Sequence, residues 1–341
     1  MPAFHPHEGL AGVLAGREAD MAAEFGLIER HFTRPVQRAA LGVGDDCALL
    51  RVELGMQLAV SSDMLVEGRH FLSTVAPERL GHKALAVNLS DLAACGAEPL
   101  AFTLALALPR VDDEWLAGLS KGLFALADEH KIELVGGDTT AGPLNLCITV
   151  FGQVPPGQAL LRSGTRQGDE LWVSGTLGDA RLALEVFRGA VELPGGAFDA
   201  VRRAMELPTP RVALGTALRG VASAAIDLSD GLIGDLGHVL KASAVGAVVE
   251  IDALPRSAVL AAMPPALQHE CLLAGGDDYE LLFTAPLAHH DAVRQAGRVC
   301  GVAVTRIGRI EAGSALRVVD AGGAPLQGRW RGFDHFAEVS A

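Results

Sequence analysis

The strongest periodic pattern in the chain lies between residues 83 and 99, KALAVNLSDLAACGAEP, where Ala84, Leu85, Val87, Leu89, Leu92 and Ala93 recur at three- and four-residue spacings. That rhythm predicts an amphipathic helix, with Gly96 as its stop and Pro99 beyond it. A second helical rhythm covers 113–130, with Trp115, Leu119, Leu123, Leu126 and Ala127 on one face, and a short one begins at Glu24 in EFGLIERHF. Between them, LAVSSDMLVEGRHF (58–71), LAFTLALAL (100–108) and LNLCITVFGQV (144–154) predict strands. The nearly unbroken apolar run of the middle one marks it as buried. LGVGDDCALL (41–50) predicts a turn running into a strand, and ELVGGDTTAG (133–142) a strand and a turn. After PPGQ (155–158) the same alternation resumes. LLRSGTRQGDELWVSG predicts a loop and a strand, SGTLGDARLALEVF a turn and a helix, and AAIDLSDGLIGDLGHVLKAS (224–243) a strand, an acidic turn and a helix. LLAGGDDYELLFTA (272–285) joins an apolar run through two glycines and two aspartates to a strand. A helix near 288–298 and strands near 302–311 and 315–320 follow. Interleaved strands and helices predict two α/β-type domains, 23–154 and 159–341, with a loose leader over 1–22 and the Pro/Gly-rich PPGQ as linker.

Length and composition fit that picture. At 341 residues, half hydrophobic and a fifth charged, the chain is globular and large enough for two cores. No apolar run reaches the roughly 18–20 residues needed to span a bilayer, and the first 25 residues lack the apolar stretch of a signal peptide. A soluble, cytoplasmic protein is expected. Five scattered cysteines with no C-x-x-C pair argue against a disulfide framework or a zinc site. The net charge of −13 argues against non-specific nucleic-acid binding.

Charge becomes informative through its placement. GVGDD (42–46), VSSD (60–63), VGGDTT (135–140), IDLSDG (226–231) and AGGDDYE (274–280) share one expected layout, an apolar strand, small residues that let the chain turn, and an aspartate at the strand's end. Asp91, on the first helix, adds a sixth site. Small residues crowd around it (Ser90, Ala93, Ala94, Gly96), so another segment can pack close. Singly, each aspartate is better read as a turn or cap residue. Together they read as a centre in which carboxylates would repel one another unless hard cations relieve them while gripping a polyphosphate. That predicts a multi-magnesium phosphoryl-transfer centre, with Arg162 as candidate phosphate clamp. No Walker A sequence and no H-R-D kinase set is present. By spacing alone, His70 is as readily a surface histidine as a substrate contact, and Lys83 reads as a solvated charge.

Taken in order, GVGDDCALL, LAVSSDMLVEGRHF, KALAVNLSDLAACGAEP, VGGDTT, IDLSDGL, AGGDDYELLF and the closing GFDHF resemble the bacterial thiamine-monophosphate kinase family, over essentially residues 24–337. The resemblance implies a two-domain aminoimidazole ribonucleotide synthetase-like (PurM-like) fold, an α+β N-terminal domain followed by an α/β C-terminal one. It implies a homodimer in which the N-terminal sheet pairs with that of a second subunit. The implied activity is ATP-dependent phosphorylation of thiamine monophosphate to thiamine diphosphate by direct in-line transfer. Carried over by motif, the magnesium ligands are Asp46, Ser61, Ser62, Asp63, Asp91, Asp138, Asp227 and Asp230, with Asp46, Asp63, Asp91, Asp138 and Asp227 as the catalytic set. ATP is expected at Gly137, Asp138, Arg162 and Ser229, and thiamine monophosphate at His70, Asp277 and Phe333. An aromatic face at Phe333 suits a planar cationic ring. One departure stands out: relatives carry GGEDYE, whereas this chain reads GGDDYE, with Asp277 one methylene shorter. Selenophosphate synthetases carry a reactive Cys near their start and hydrogenase-maturation factors end in Cys. Here the first cysteine is Cys47 and the last residues are VSA. Those two rivals are disfavoured, as is a non-catalytic nucleotide-binding relative, since the acidic set, Arg162 and His70 are all kept.

Overall fold

A computed structural model describes residues 26–328 and 330–333; the expected leader and the end of the GFDHF motif lie outside them. The first half comprises α1 (26–32), β1 (Gln57–Val66), α2 (Pro77–Ala94), β2 (Glu98–Leu108), α3 (Asp113–His130), β3 (Glu133–Ala141) and β4 (Asn145–Val154). Its sheet has the order β1-β4-β2-β3, antiparallel except for the β2–β3 pair. Helices α2 and α3 cover one face, burying Leu85, Leu89, Leu92, Leu116, Leu119 and Leu123 against Phe102, Leu106, Leu146 and Ile148. The opposite face carries Leu58, Val60 and Met64 of β1, each about half exposed (49%, 56% and 52%). Local chemistry sets the helix ends as expected. Pro77 opens α2, whose missing N–H costs nothing there. The Asp112 carboxylate caps α3 by accepting the Trp115 amide at 3.1 Å.

Two expectations change. Residues 41–50 form no strand, only the isolated bridges Leu41↔Leu49 and Val43↔Asp45. ELVGGDTTA is one continuous strand, not a strand and a turn, with a register shift opposite Phe102/Thr103. Gly137 makes that possible. Its φ is 152°, and a Cβ there would lie 1.8 Å from the Leu104 carbonyl oxygen.

The second half contains β5 (Glu170–Ser174), α4 (Asp179–Phe187), α5 (Gly195–Glu206), α6 (Val212–Ala217), β6 (Ala224–Asp227), α7 (Leu232–Ser243), β7 (Gly246–Glu250), α8 (Ala258–Ala261), α9 (Pro265–Ala274), β8 (Leu281–Ala285), α10 (His290–Cys300), β9 (Val304–Glu311) and β10 (Leu316–Val319). Its sheet has the order β10-β7-β9-β5-β8-β6, with only β10–β7 parallel. The apolar run before Gly275 is the end of helix α9.

Helix α2 is the seam between the halves. Besides α3 and strands β1 and β4, it packs on α6, β6 and β8. The small residues around Asp91 allow this, as the sequence suggested. Gly215 of α6 lies so close that a Cβ would come within 2.0 Å of the Ala93 carbonyl. Arg79 pairs with the buried Glu206 at 2.7 Å, a His82 ring nitrogen lies 2.8 Å from the Pro208 carbonyl, and Arg219 Nε donates to the Gly96 carbonyl at 2.5 Å.

Candidate active site

The seam brings two periodicities together. On β1, Ser61 and Asp63 point to the same side, toward α2, because strand side chains alternate. On α2, Asn88 and Asp91, three apart, face them. Ser61 Oγ donates to the Asp91 carboxylate at 2.5 Å, and the Asp63 amide donates to Asn88 Oδ1 at 3.1 Å. Asn88, itself buried, returns its Nδ2 to the Ala84 carbonyl at 3.0 Å. One residue before Asp91, Ser90 Oγ donates to Asp227, the last residue of β6, at 2.6 Å. Thus α2 contributes Asp91 itself and holds the Asp227 carboxylate of the second half beside it. The turn after β6 is tied by Asp235 of α7, whose carboxylate accepts the amides of Asp230 and Gly231, both at 3.1 Å.

The carboxylates feel each other. Burial, then the charges of Asp91 and Asp230, push Asp63 up to about 6. Burial and the Asp91 charge push Asp227 up to about 7 against the opposing Ser90 hydrogen bond. Burial raises Asp91 as well, while the Ser61 hydroxyl and the Arg162 guanidinium pull it down. Burial also raises Asp235 to about 7, though backbone amides of the 229–231 turn bond to it. These are oxygen donors short of positive charge, which suits a hard divalent cation. Among the described residues, no three His, Cys, Asp or Glu side chains converge tightly enough to hold an ion by themselves. A magnesium ion bound here would therefore complete its shell with water and phosphate oxygens, its usual habit.

A second group closes the seam from the other side. Asp277 Oδ2 accepts from Lys83 Nζ at 2.9 Å, its Oδ1 from the Tyr279 hydroxyl at 3.1 Å, and its amide donates to the Ser229 carbonyl at 2.9 Å. Lys83 Nζ also reaches the His70 carbonyl at 3.2 Å, and His70 Nδ1 accepts the Val66 amide at 2.9 Å, which leaves the ring proton on Nε2 when neutral. The Phe333 amide donates to the Asp230 carbonyl at 2.9 Å, and the residue is 51% exposed. Asp63, Asp91, Asp227, Asp230, Ser61, Ser229, His70, Asp277 and Phe333 are therefore drawn to one seam, with Arg162 near enough to act on Asp91.

Other candidates lie elsewhere in the single chain. Ser62 alternates to the opposite face of β1, bonding to the Ile148 carbonyl at 3.2 Å and Thr149 Oγ1 at 2.9 Å. Asp138 lies in register with the exposed Ala105, on the open face and not beside Asp63, and Gly137 precedes it. Asp46 is exposed in the 42–48 turn, where its amide donates to Asp45 at 2.8 Å. The shared layout of apolar residues, small residues and aspartate also dissolves: only Asp227 ends a strand, while Asp63 and Asp138 lie inside strands and Asp277 follows a helix. Reasoning from sequence passed over Ser90, Asp235, Tyr279 and above all Lys83, which is buried (2% exposed) and not solvated. Spacing held a clue, since residues 83, 87 and 91 form an i, i+4 ladder toward Asp91.

The chain with this two-sheet frame belongs to the AIR synthase related proteins: the family's N-terminal domain matches residues 44–154 and its C-terminal domain residues 157–321. Within that class, the chain belongs to the thiamine-monophosphate kinase family. It is 46% identical over 321 residues to the thiamine-monophosphate kinase of Salmonella typhimurium, covering 92% of this chain and 98% of that one. It superimposes on the crystal structure of the thiamine-monophosphate kinase from Stenotrophomonas maltophilia K279a with a TM-score of 0.79 at 45% identity, covering 86% of this chain and 94% of that one. It also matches the structure of AaThiL complexed with AMPPCP and TMP, with a TM-score of 0.73 at 27% identity, over 98% of this chain and 100% of that one.

Proposed function

We propose that this protein transfers the γ-phosphoryl group of ATP to the phosphate of thiamine monophosphate, giving thiamine diphosphate and ADP. The observation that carries this is the seam itself, where carboxylates from both halves meet with raised proton affinity beside Arg162, His70 and Asp277. A relative of the same fold complexed with AMPPCP and TMP supports the choice of both substrates.

Asp63, Asp91, Asp227 and Asp230, with the Ser61 hydroxyl, would hold magnesium here. The metal would supply charge neutralisation for the polyphosphate. The chain's own residues then position and shield. Arg162, on the loop after the linker, offers a planar fork for phosphate oxygens. Ser229 and the 229–231 turn, fixed by Asp235, present backbone beside the same carboxylates. Asp277 and His70 offer an acceptor and an Nε2 donor to the substrate, and the Phe333 face suits a cationic heterocycle. No side chain at the seam is needed as a dedicated base, because a phosphate monoester is already largely ionised near neutral pH. In-line positioning and charge compensation are what such a transfer asks of a protein.

Asp46, Ser62, Gly137 and Asp138 belong to this proposal as metal or nucleotide contacts, although within one chain Ser62 and Asp138 turn to the open sheet face and Asp46 lies in the exposed 42–48 turn. A homodimer is part of it too, supported by the open sheet face with Leu58, Val60 and Met64, on which Asp138 also lies. No helix among the described residues is long and apolar enough to cross a membrane, and a cytoplasmic location fits ATP as co-substrate.

The test is a chromatographic assay with magnesium, ATP and thiamine monophosphate, omitting each in turn. Stoichiometric thiamine diphosphate and ADP are expected. ATP consumed without thiamine diphosphate would move the substrate to another enzyme of the superfamily, and ATP bound without turnover would favour a non-catalytic role.

A further inference from the structure

Lys83 is a cation with almost no access to water, 2% exposed, in the middle of α2. A buried ammonium is costly unless it is paired, and it is rarely kept without a reason. Its two bonds reach two different segments. Nζ donates to Asp277 Oδ2 at 2.9 Å in the second half of the chain, and to the His70 carbonyl at 3.2 Å in the loop after β1. Both residues are, on the function proposed above, substrate contacts.

The segment it holds is strained. Asp277 (φ 67°) and Tyr279 (φ 49°) both occupy the left-handed region, which non-glycine residues adopt only when their surroundings impose it. Backbone and side-chain bonds do so. The Asp277 amide is tied to the Ser229 carbonyl, Asp278 accepts the Gly178 amide with both oxygens (2.9 and 3.0 Å), and Glu280 is clamped by Arg211 and Ser174. Among the described residues, the side-chain hydrogen bond that this segment receives from the first half of the chain is that of Lys83. The Asp277 side chain remains 36% exposed, so Lys83 and Tyr279 fix each carboxylate oxygen on one side and leave lone pairs toward solvent.

We propose that Lys83 is a positioning residue for the substrate. It locks the Asp277 carboxylate and the His70 loop into one arrangement across the seam, and so sets the affinity for thiamine monophosphate without contacting ATP. The role rests on Asp277 being a substrate contact.

The experiment is a double-mutant cycle of Lys83→Met and Asp277→Asn. Methionine fills the lysine stem's volume, and the partly exposed Asp277 can be solvated when unpaired, so the variants are expected to fold, as thermal melts would confirm. Lys83→Met should raise KM for thiamine monophosphate about tenfold, within the range for directly contacting pairs. Its kcat and its KM for ATP should stay within about twofold of the unaltered protein. Calorimetric affinity for thiamine monophosphate should fall by the same factor. In the Asp277→Asn background only the longer bond to the His70 carbonyl remains for Lys83 to lose, so adding Lys83→Met should raise KM for thiamine monophosphate by no more than about threefold. An equal effect of Lys83→Met in both backgrounds, or equal rises in KM for both substrates, would overturn the positioning role alone. Absence of thiamine monophosphate turnover by the unaltered protein would overturn the proposed function and this role with it.

Discussion

Replacing Asp91 with asparagine separates charge from shape at the centre of the seam. The side chain keeps its size, and Ser61 Oγ, now 2.5 Å from a carboxylate oxygen, can donate to the asparagine carbonyl instead. Exchanging a charge-assisted for a neutral hydrogen bond costs about 1 kcal/mol. Against this stands relief of repulsion. Asp227 is raised from 3.8 to about 7, which corresponds to roughly 4 kcal/mol in all. Burial is the larger cause and the Asp91 charge the second, so removing that charge returns only part of it, on the order of 1–2 kcal/mol. The two effects nearly cancel, and the metal-free variant should unfold within about 1 kcal/mol of the parent. Turnover should behave differently. A lost charge at a site that neutralises a transferring phosphoryl group is expected to lower kcat by about 10²–10³. Magnesium protection should weaken in step. A ligand at 100 times its Kd stabilises by about 2.7 kcal/mol, and a hundredfold loss of affinity reduces that to about 0.4 kcal/mol. Thermal melts with and without magnesium and ATP, beside the chromatographic assay, read all three quantities. Near-normal turnover together with an undiminished magnesium-dependent rise in Tm would refute the assignment of Asp91 to a metal centre.

Three other outcomes are expected. Phe333→Ala should raise KM for thiamine monophosphate well above any change in KM for ATP, since cation–π stacking contributes about 0.5–2 kcal/mol and the ring is a surface platform; steady-state kinetics decide, and equal rises would count against it. Without metal, folding stability should fall as pH rises from about 4 to 7, because Asp63 and Asp227 have folded-state values of about 6 and 7, above the unfolded value of 3.8, so the folded state binds more protons across that window; magnesium should remove most of this loss, and Tm values that stay flat with pH would contradict it. Gly137→Ala should destabilise by at least about 2 kcal/mol in a denaturant melt, because its Cβ would lie 1.8 Å from the Leu104 carbonyl oxygen; an unchanged midpoint would mean that β3 does not follow the strand path through Gly137.

The sequence alone carried α1 to α4, α7, α10 and most strands, because their signals are periodicities internal to each segment, while α5, α6, α8 and α9 were not foreseen. The 83–94 helix, the buried 100–108 strand and the 113–130 helix fell where spacing put them. It also carried the residue types of the site, since seven ordered motifs with their aspartates are local strings. What it did not carry is which aspartates meet. GVGDD, VSSD and VGGDTT look alike as strings, yet strand alternation turns Asp63 toward α2 and register turns Asp138 to the open face. That choice depends on which side of the sheet the helices cover, a tertiary fact. The turn expected at Gly136–Gly137 is a strand because a neighbouring strand pulls the chain straight, which overrides local glycine preference. Lys83 shows the same limit most clearly. Charge and position in a helix suggest a solvated side chain, and only the approach of the 275–280 segment from the far half of the chain buries it and gives it a partner.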